Sequence, residues 1–345
     1  MTKKIRIKNL PIGGGAPISV QSMTNVSVCD VDSTLRQIND LQNSDCDIVR
    51  IALPDNKAAE AFSIVRKNTD MPLVADIHFD GRLAVAAIEA GADKIRINPG
   101  NMSFKQLDSV IDCAKSNGIP IRLGVNGGSV NRDLLKMHNG DKVLAIEANL
   151  RQYITYFEDK GFDKIVLSVK SSDVSEMVRV NRSIAASFDY PIHLGVTEAG
   201  PAYQGLVKNS VGIGTLLLDG IGDTIRVSLT ANPVEEVRAA KEILKSLNLR
   251  DGVKFVSCPK CGRCGYDLEK AATEIYEYVK DMRKNIKVAV MGCEVNGPGE
   301  CLDADVGIAG ANGRCVFFKY GKIYKTVDES VAVEEFKREI DLIAK

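Results

Sequence analysis

The 345-residue chain carries no net charge, no tryptophan and only three histidines. Its 45 Lys and Arg residues balance 45 Asp and Glu residues. That balance excludes a general nucleic-acid or membrane-surface binder, although a local basic site is compatible with it. No apolar run approaches the roughly 18 residues of a spanning helix. The segment Met1-Thr2-Lys3-Lys4-Ile5-Arg6 alternates charge with apolar residues and lacks a signal-peptide core, so the expected location is the cytoplasm. Gly13–Gly15 and Gly127-Gly128 do not open a helix after a strand, so they read as turns; no phosphate loop or dinucleotide fingerprint is present. With 45% hydrophobic and 26% charged residues, the composition excludes a disordered chain and fits a soluble protein with a core. Against these absences stands one excess, nine cysteines. In a reducing compartment they do not read as a disulfide framework, and a cluster of them means metal or redox chemistry.

The length suggests two domains. Short β-branched runs recur at Ile18–Met23, Asp47–Leu53, Pro72–Ile77, Lys94–Pro99, Pro120–Val125, Lys164–Val169, Pro191–Thr197 and Thr224–Leu229. Stretches of helical period lie between them, most clearly Ser33–Gln42, Ala58–Arg66, Gly81–Ala90, Phe104–Lys115, Val143–Phe157 and Val234–Leu247. Eight alternations in about 250 residues predict an α/β fold, an N-terminal (β/α)8 TIM-type barrel over residues 1–248. Ile5–Gly15 reads as a hairpin with a Gly-Gly-Gly turn across the barrel bottom. After a linker at Asn248–Gly252 the pattern changes. A strand at Lys254–Ser257, a helix at Leu268–Arg283, strands at Ile286–Met291, Val306–Ala309 and Arg314–Thr326, and a helix at Val331–Ala344 predict a smaller α+β domain over 253–345.

Barrel active sites lie at the C-terminal ends of the strands, and these ends are polar here. Arg50, Arg96, Arg122 and Arg226 each stand between aliphatic neighbours. The strand period of two turns the neighbours towards the helices and the arginines inwards. Buried guanidiniums need partners. Carboxylates such as Asp76 and Glu198 could supply them, but four arginines with Lys170 on a fifth strand favour a polyanion, and their number suggests a diphosphate. Asn98, Asn126 and Ser228 join them at the strand ends as further candidate substrate contacts. Candidate proton carriers are Asp76, His78 and Glu198, the last beside an Ala-Gly step. His193, two positions into its strand, reads as structural, and His138 has no assigned role.

Cys29, Cys46 and Cys113 are scattered through the barrel and read as inert core thiols. The other six fall in the second domain, which contains no histidine. Cys258, Cys261 and Cys264 form C-x-x-C-x-x-C, Cys293 and Cys301 flank a Gly-Pro-Gly segment, and Cys315 lies in a strand. With neither a second separate CxxC nor a histidine, zinc fits less well than an iron–sulfur cluster. A redox disulfide leaves Cys293 unexplained. Spacing alone leaves the ligand set open among Cys258, Cys261, Cys264, Cys293 and Cys301.

Ser-Cys-Pro-x-Cys-Gly-Arg at 257–263, Met-Gly-Cys-x-Val-Asn-Gly-Pro-Gly-Glu at 291–300 and Val-Gln-Ser-Met-Thr-Asn at 20–25 closely resemble the 4-hydroxy-3-methylbut-2-enyl diphosphate synthase family of the non-mevalonate isoprenoid pathway. The resemblance spans essentially the whole chain, in the bacterial two-domain form. It implies one [4Fe-4S] cluster per subunit, held by Cys258, Cys261, Cys293 and Glu300. Cys264 and Cys301 depart from the family pattern, and either thiol is an alternative to Glu300. It also implies two-electron reductive ring opening and dehydration of 2-C-methyl-D-erythritol 2,4-cyclodiphosphate, with Glu198, Asp76 or His78 as acid. Ferredoxin or flavodoxin is the implied donor. A homodimer in which each cluster domain caps the partner's barrel is the implied assembly, with no nucleic-acid or membrane partner. Two competing readings are a non-catalytic metal module on a phosphate-sensing barrel, and a metal-independent barrel enzyme using Lys170 as a Schiff-base nucleophile.

Overall fold

A computed structural model describes residues 1–126 and 132–344, with the side chains of Asn126 and Arg132 outside the description. The reading of Gly127-Gly128 as a turn therefore lies outside the described residues. The chain divides into two compact units, residues 1–249 and 250–345.

The first unit opens with a hairpin, β1 (Ile5–Ile7) and β2 (Leu10–Ile12). Ile7 opposes Leu10, so the turn is Lys8-Asn9 with Lys8 at φ 54°, and the glycine triplet follows the hairpin rather than closing it. A two-residue turn suits the twist of paired strands better than a longer glycine loop. Gly13 is required where it stands, because its φ is 76° and a Cβ would strike the Lys3 carbonyl. The hairpin plugs one end of the barrel, where Ile5, Ile7 and Ile12 pack on Ile48, Val74 and Val166.

Eight parallel strands follow: β3 (Ser19–Met23), β4 (Ile48–Ala52), β5 (Leu73–Asp76), β6 (Lys94–Ile97), β7 (Ile121–Asn126), β8 (Ile165–Lys170), β9 (His193–Leu194) and β10 (Thr224–Ile225). They pair in the spatial order β8-β7-β6-β5-β4-β3-β10-β9. A parallel bridge between Leu167 and Ile192 joins the two ends of that order and closes the barrel. Outward residues such as Val49, Ile51, Ile95 and Leu123 are fully or nearly fully buried against the helix layer. Most of these helices start on a side-chain cap, including Asp30, Asp55, Asp80, Ser103, Asp141, Asp173 and Asn232. Each cap satisfies a backbone N–H left open at a helix start. The helices Val174–Ser187 and Ala202–Leu218 complete the ring beyond the clearly periodic stretches. The second is apolar around much of its circumference, so no one-sided period marks it.

The second unit is a five-stranded mixed sheet in the order β11-β12-β13-β14-β15. Its strands are β11 (Lys254–Ser257), β12 (Lys287–Met291), β13 (Val306–Gly310), β14 (Arg314–Lys319) and β15 (Lys322–Asp328). The run expected as one strand over 314–326 is a hairpin, because Tyr320 and Gly321 both take positive φ between Lys319 and Lys322. The helices Leu268–Val279 and Glu329–Ala344 cover one face through Ile275, Phe317, Phe336 and Ile340. The other face packs Met291, Cys301, Val316 and Phe318. Gly307 opposes Phe318 in the ladder, and a Cβ there would fall inside that buried ring. Gly307→Ala is expected to cost about 1–3 kcal/mol of stability, read as a lower urea midpoint by circular dichroism.

Candidate functional site

In the barrel, Arg50, Arg96 and Arg122 are buried and inward, as the alternation requires. Their inward position is tolerated because β5 ends in Asp76, which is 3% exposed. Arg96 Nη1 lies 3.2 Å from Asp76 Oδ1, and Arg50 Nε lies 3.7 Å from Asp76 Oδ2. Arg50 also donates from Nε and Nη2 to the Met23 thioether at 3.1 and 2.8 Å. Arg122 Nε and Nη1 and Arg96 Nε have no partner among the described residues. These donors are aimed into the barrel.

Two inward glycines make room for this cluster. A Cβ on Gly124 would stand 2.6 Å from Arg96 Nε, and one on Gly195 would stand 2.8 Å from Lys170 Nζ. Lys170 is buried and has no ion-pair partner among the described residues. Burial, followed by the Arg122, Arg226, Arg50 and Arg96 charges, pulls its ammonium pKa well below the usual lysine range. Burial pulls the Arg50 pKa down to about 10 against the opposing effect of Asp76, so Arg50 stays charged at neutral pH.

Burial alone would raise the Asp76 carboxyl. The Arg50 charge, the His78 hydrogen bond and the Arg96 and Arg122 charges outweigh it and hold the group well below the carboxylate range. Asp76 is therefore ionised at neutral pH. It is one of three candidate proton carriers, with His78 and Glu198. His78 is half exposed, and its Nε2 lies 3.0 Å from Arg96 Nη1 and 3.4 Å from Asp76 Oδ2. Glu198 is exposed and takes φ 53°, with Gly200 at φ 102° just beyond. A left-handed backbone at a non-glycine residue is sparsely populated and collects at functional loops.

Arg226 differs from the other arginines. It makes a bidentate pair with Glu236, at 3.0 to 3.2 Å, from the helix Pro233–Ser246. Glu236 is 3% exposed and also accepts from Ser22 Oγ. One signal was available in the sequence: Glu236 falls on the apolar face of its helix, beside Pro233, Val237 and Ala240. Asn98 is buried and caps the short helical turn Pro99–Asn101, accepting from the Gly100 N–H at 3.2 Å. Ser228 is half-buried beyond β10. The Asn126 side chain lies outside the described residues.

In the second unit, the two cysteine motifs meet because β11 and β12 are adjacent parallel strands. Ser257 pairs with Val290, so Cys258 and Cys293 leave the same edge. Cys258 N–H donates to the Val290 carbonyl at 3.3 Å, and Gly265 N–H donates to the Gly292 carbonyl at 2.9 Å. Gly292 N–H donates to Cys258 Sγ at 3.0 Å. A Cβ at 292 would meet both Cys258 Sγ and Cys264 Sγ at 3.3 Å. All nine cysteines are free thiols.

Burial raises the Cys258 thiol, the Gly292 hydrogen bond opposes it, and Cys264, Cys261 and Cys293 raise it further. Thiols gathered so closely repel one another as thiolates unless a cationic centre binds them. Hydrogen bonds to the sulfurs are a recognised means of tuning such a centre. Among the described residues no three His, Cys, Asp or Glu side chains converge as a single-ion site. The unit holds six cysteines and no histidine, a donor set compatible with an iron–sulfur cluster. Glu300 ends the short helix Gly297–Glu300 and is exposed. Cys301 is buried beside Met291, 3.6 Å from its sulfur, and Cys315 is buried in the core of the unit. Cys264 stands with the thiol group, donating to the Tyr266 carbonyl at 3.2 Å.

A closed barrel with a buried guanidinium cluster inside, followed by a sheet that gathers thiols at one edge, defines a two-domain TIM-barrel enzyme with a cysteine-rich α+β domain. The GcpE TIM-barrel domain matches residues 2–241, and the GcpE protein C-terminal domain matches residues 254–342. The chain belongs to the GcpE family. It is 48% identical to a protein of Caldanaerobacter subterraneus subsp. tengcongensis over 100% of this chain and 98% of that relative. It is 49% identical to one of Fusobacterium nucleatum over 98% of this chain and 96% of the relative. Both relatives are named 4-hydroxy-3-methylbut-2-en-1-yl diphosphate synthase (flavodoxin). Among solved structures, dihydropteroate synthase of Stenotrophomonas maltophilia shares a TM-score of 0.53 at 14% identity, covering 72% of this chain and 97% of that one. That likeness concerns the barrel fold alone. No helix among the described residues is long and apolar enough to cross a membrane.

Proposed function

We propose that the chain converts 2-C-methyl-D-erythritol 2,4-cyclodiphosphate to 4-hydroxy-3-methylbut-2-enyl diphosphate in isoprenoid precursor biosynthesis, in the cytoplasm. The observation that carries the reading is the buried guanidinium cluster with free donors on Arg96 and Arg122, in a chain whose relatives bear that name over their full length. Arg50, Arg96, Arg122 and Lys170 bind the two phosphoryl groups, and Arg226, Asn98, Asn126 and Ser228 border them. Asp76 keeps the guanidiniums spaced and oriented. Glu198 supplies the proton that lets the hydroxyl leave as water, and His78 stands by it as the alternative donor.

Cys258, Cys261, Cys293 and Glu300 hold one [4Fe-4S] cluster per subunit, which when bound supplies the two electrons. A carboxylate is the weaker ligand in such a set and the one suited to yield its place. Flavodoxin or ferredoxin brings the electrons, the first supported by the names of the relatives. A homodimer, with each cluster domain capping the partner's barrel, completes the site. Its support is the exposed apolar face of the helix Ala202–Leu218, with Tyr203, Val207, Val211 and Leu218 uncovered.

Anaerobic purification, iron and sulfide counting and turnover of the cyclodiphosphate test the reading. Bound zinc, or turnover without iron, overturns it. Arg96→Ala is expected to remove about 1.5–3 kcal/mol of binding, roughly a 10- to 150-fold rise in KM, with the iron content unchanged. An unchanged KM would take Arg96 out of the site.

A further inference from the structure

The proposed reaction leaves a deeper polar layer of the barrel without a task. Ser19 and Gln21 on β3, Lys94 on β6, His193 on β9 and Thr224 on β10 are all at most 2% exposed. Most of their polar atoms are unmet among the described residues: Ser19 Oγ, both ends of the Gln21 amide, Lys94 Nζ and His193 Nε2. The one contact within the layer is His193 Nδ1 to Thr224 Oγ1 at 3.4 Å.

A core that existed only to hold the barrel together would not be built this way. Each unmet buried polar atom costs about 1–3 kcal/mol, and apolar residues fill the same interior more cheaply. The charged groups acting on Lys94 are Arg122 and Arg50, with no carboxylate among them. Those acting on His193 are Arg122, Lys170, Lys94 and Arg50, all cations. Burial, reinforced by Arg122 and Arg50, depresses the Lys94 ammonium pKa well below its usual range. The layer lacks an anion, and the guanidiniums that share its surroundings are those of the proposed diphosphate site. Lys94 follows the same alternation as Arg96, two positions earlier on β6.

We propose that Lys94, Gln21 and His193 form the floor of the anion site and act as positioning residues, holding phosphoryl oxygens that reach below the guanidiniums, directly or through one water. This inference rests on the diphosphate reading of the barrel. Lys94→Met removes the amine and keeps the length of the side chain. The full-length protein is titrated with inorganic pyrophosphate by calorimetry and unfolded with urea in its absence. Pyrophosphate affinity is expected to fall roughly tenfold or more, while the ligand-free protein keeps or gains stability. Gln21→Met is the second variant and is expected to behave in the same way.

Unchanged pyrophosphate affinity in both variants overturns the proposal, as does a lower urea midpoint in both, which would make the layer structural. Arg96→Ala separates the two readings. If it weakens pyrophosphate binding and neither floor variant does, only the floor is wrong. If it too leaves binding intact, the diphosphate site itself is wrong.

Discussion

Replacement of Cys258 by alanine is expected to abolish iron and sulfide binding and, with it, turnover of the cyclodiphosphate. Cys258 is the thiol on which the local geometry converges. It receives the Gly292 N–H, lies beside Cys264 across Gly292, and is within electrostatic reach of Cys261 and Cys293. A thiolate ligand is bound only in its deprotonated form, so a metal centre offsets both the burial and the mutual repulsion that raise this thiol. Without Cys258 the remaining donors lose the member that bridges the two motifs. Glu300→Ala is the contrasting case: it leaves the gathered thiols in place and is expected to retain iron while losing activity. The check is iron and sulfide per chain after anaerobic purification, with visible absorption as an independent record. A Cys258→Ala protein with full iron content would reassign the ligands, with Cys264 the first alternative because it stands in the same group.

The second large effect is expected at Asp76. Asp76→Asn preserves shape and removes the negative charge that faces Arg50 and Arg96 at 3.7 and 3.2 Å. Breaking one side of a buried charge network costs about 3–5 kcal/mol, because the guanidiniums stay buried and now repel one another. Urea unfolding at neutral pH is expected to show that loss, and pyrophosphate should restore part of it by returning negative charge to the cluster.

The pH dependence has a definite sign. The native Asp76 pKa lies below the unfolded value, near about 3.9. Its contribution is therefore complete above that value and disappears as pH falls through the native pKa. The wild type and Asp76→Asn should differ by a constant amount from neutral pH down to about pH 4 and converge only below it. Equal stability of the two proteins at neutral pH would show that the arginines do not depend on this carboxylate.

Much of the architecture was legible because it follows from local periods. Alternation along β4, β6 and β7 placed Arg50, Arg96 and Arg122 inside. The helix Ala202–Leu218 escaped because its exposed residues are as apolar as its buried ones, so burial leaves no one-sided pattern. The hairpin at 314–328 turns at Tyr320-Gly321, both at positive φ, and an isolated Gly in a strand-like run reads as a bulge as readily as a turn.

The charge partners and the thiol neighbours were not legible, since each depends on residues distant in the chain. Asp76 reads as one carboxylate among several until the guanidiniums around it are seen. Arg226 reads as a ligand for an anion until Glu236 is seen opposite it. Cys264 and Cys301 read alike in sequence, yet one stands with the candidate ligands and the other is sealed beside Met291.

The sequence by itself determined the two-domain α/β order, the inward cations and the cysteine motifs with their family resemblance, all carried by spacing along the chain. The tertiary structure decided which charges neutralise one another, which thiols meet and which buried polar groups find no partner among the described residues. Strand pairing and helix packing set those distances, and electrostatic energies in a buried site follow distance rather than sequence separation.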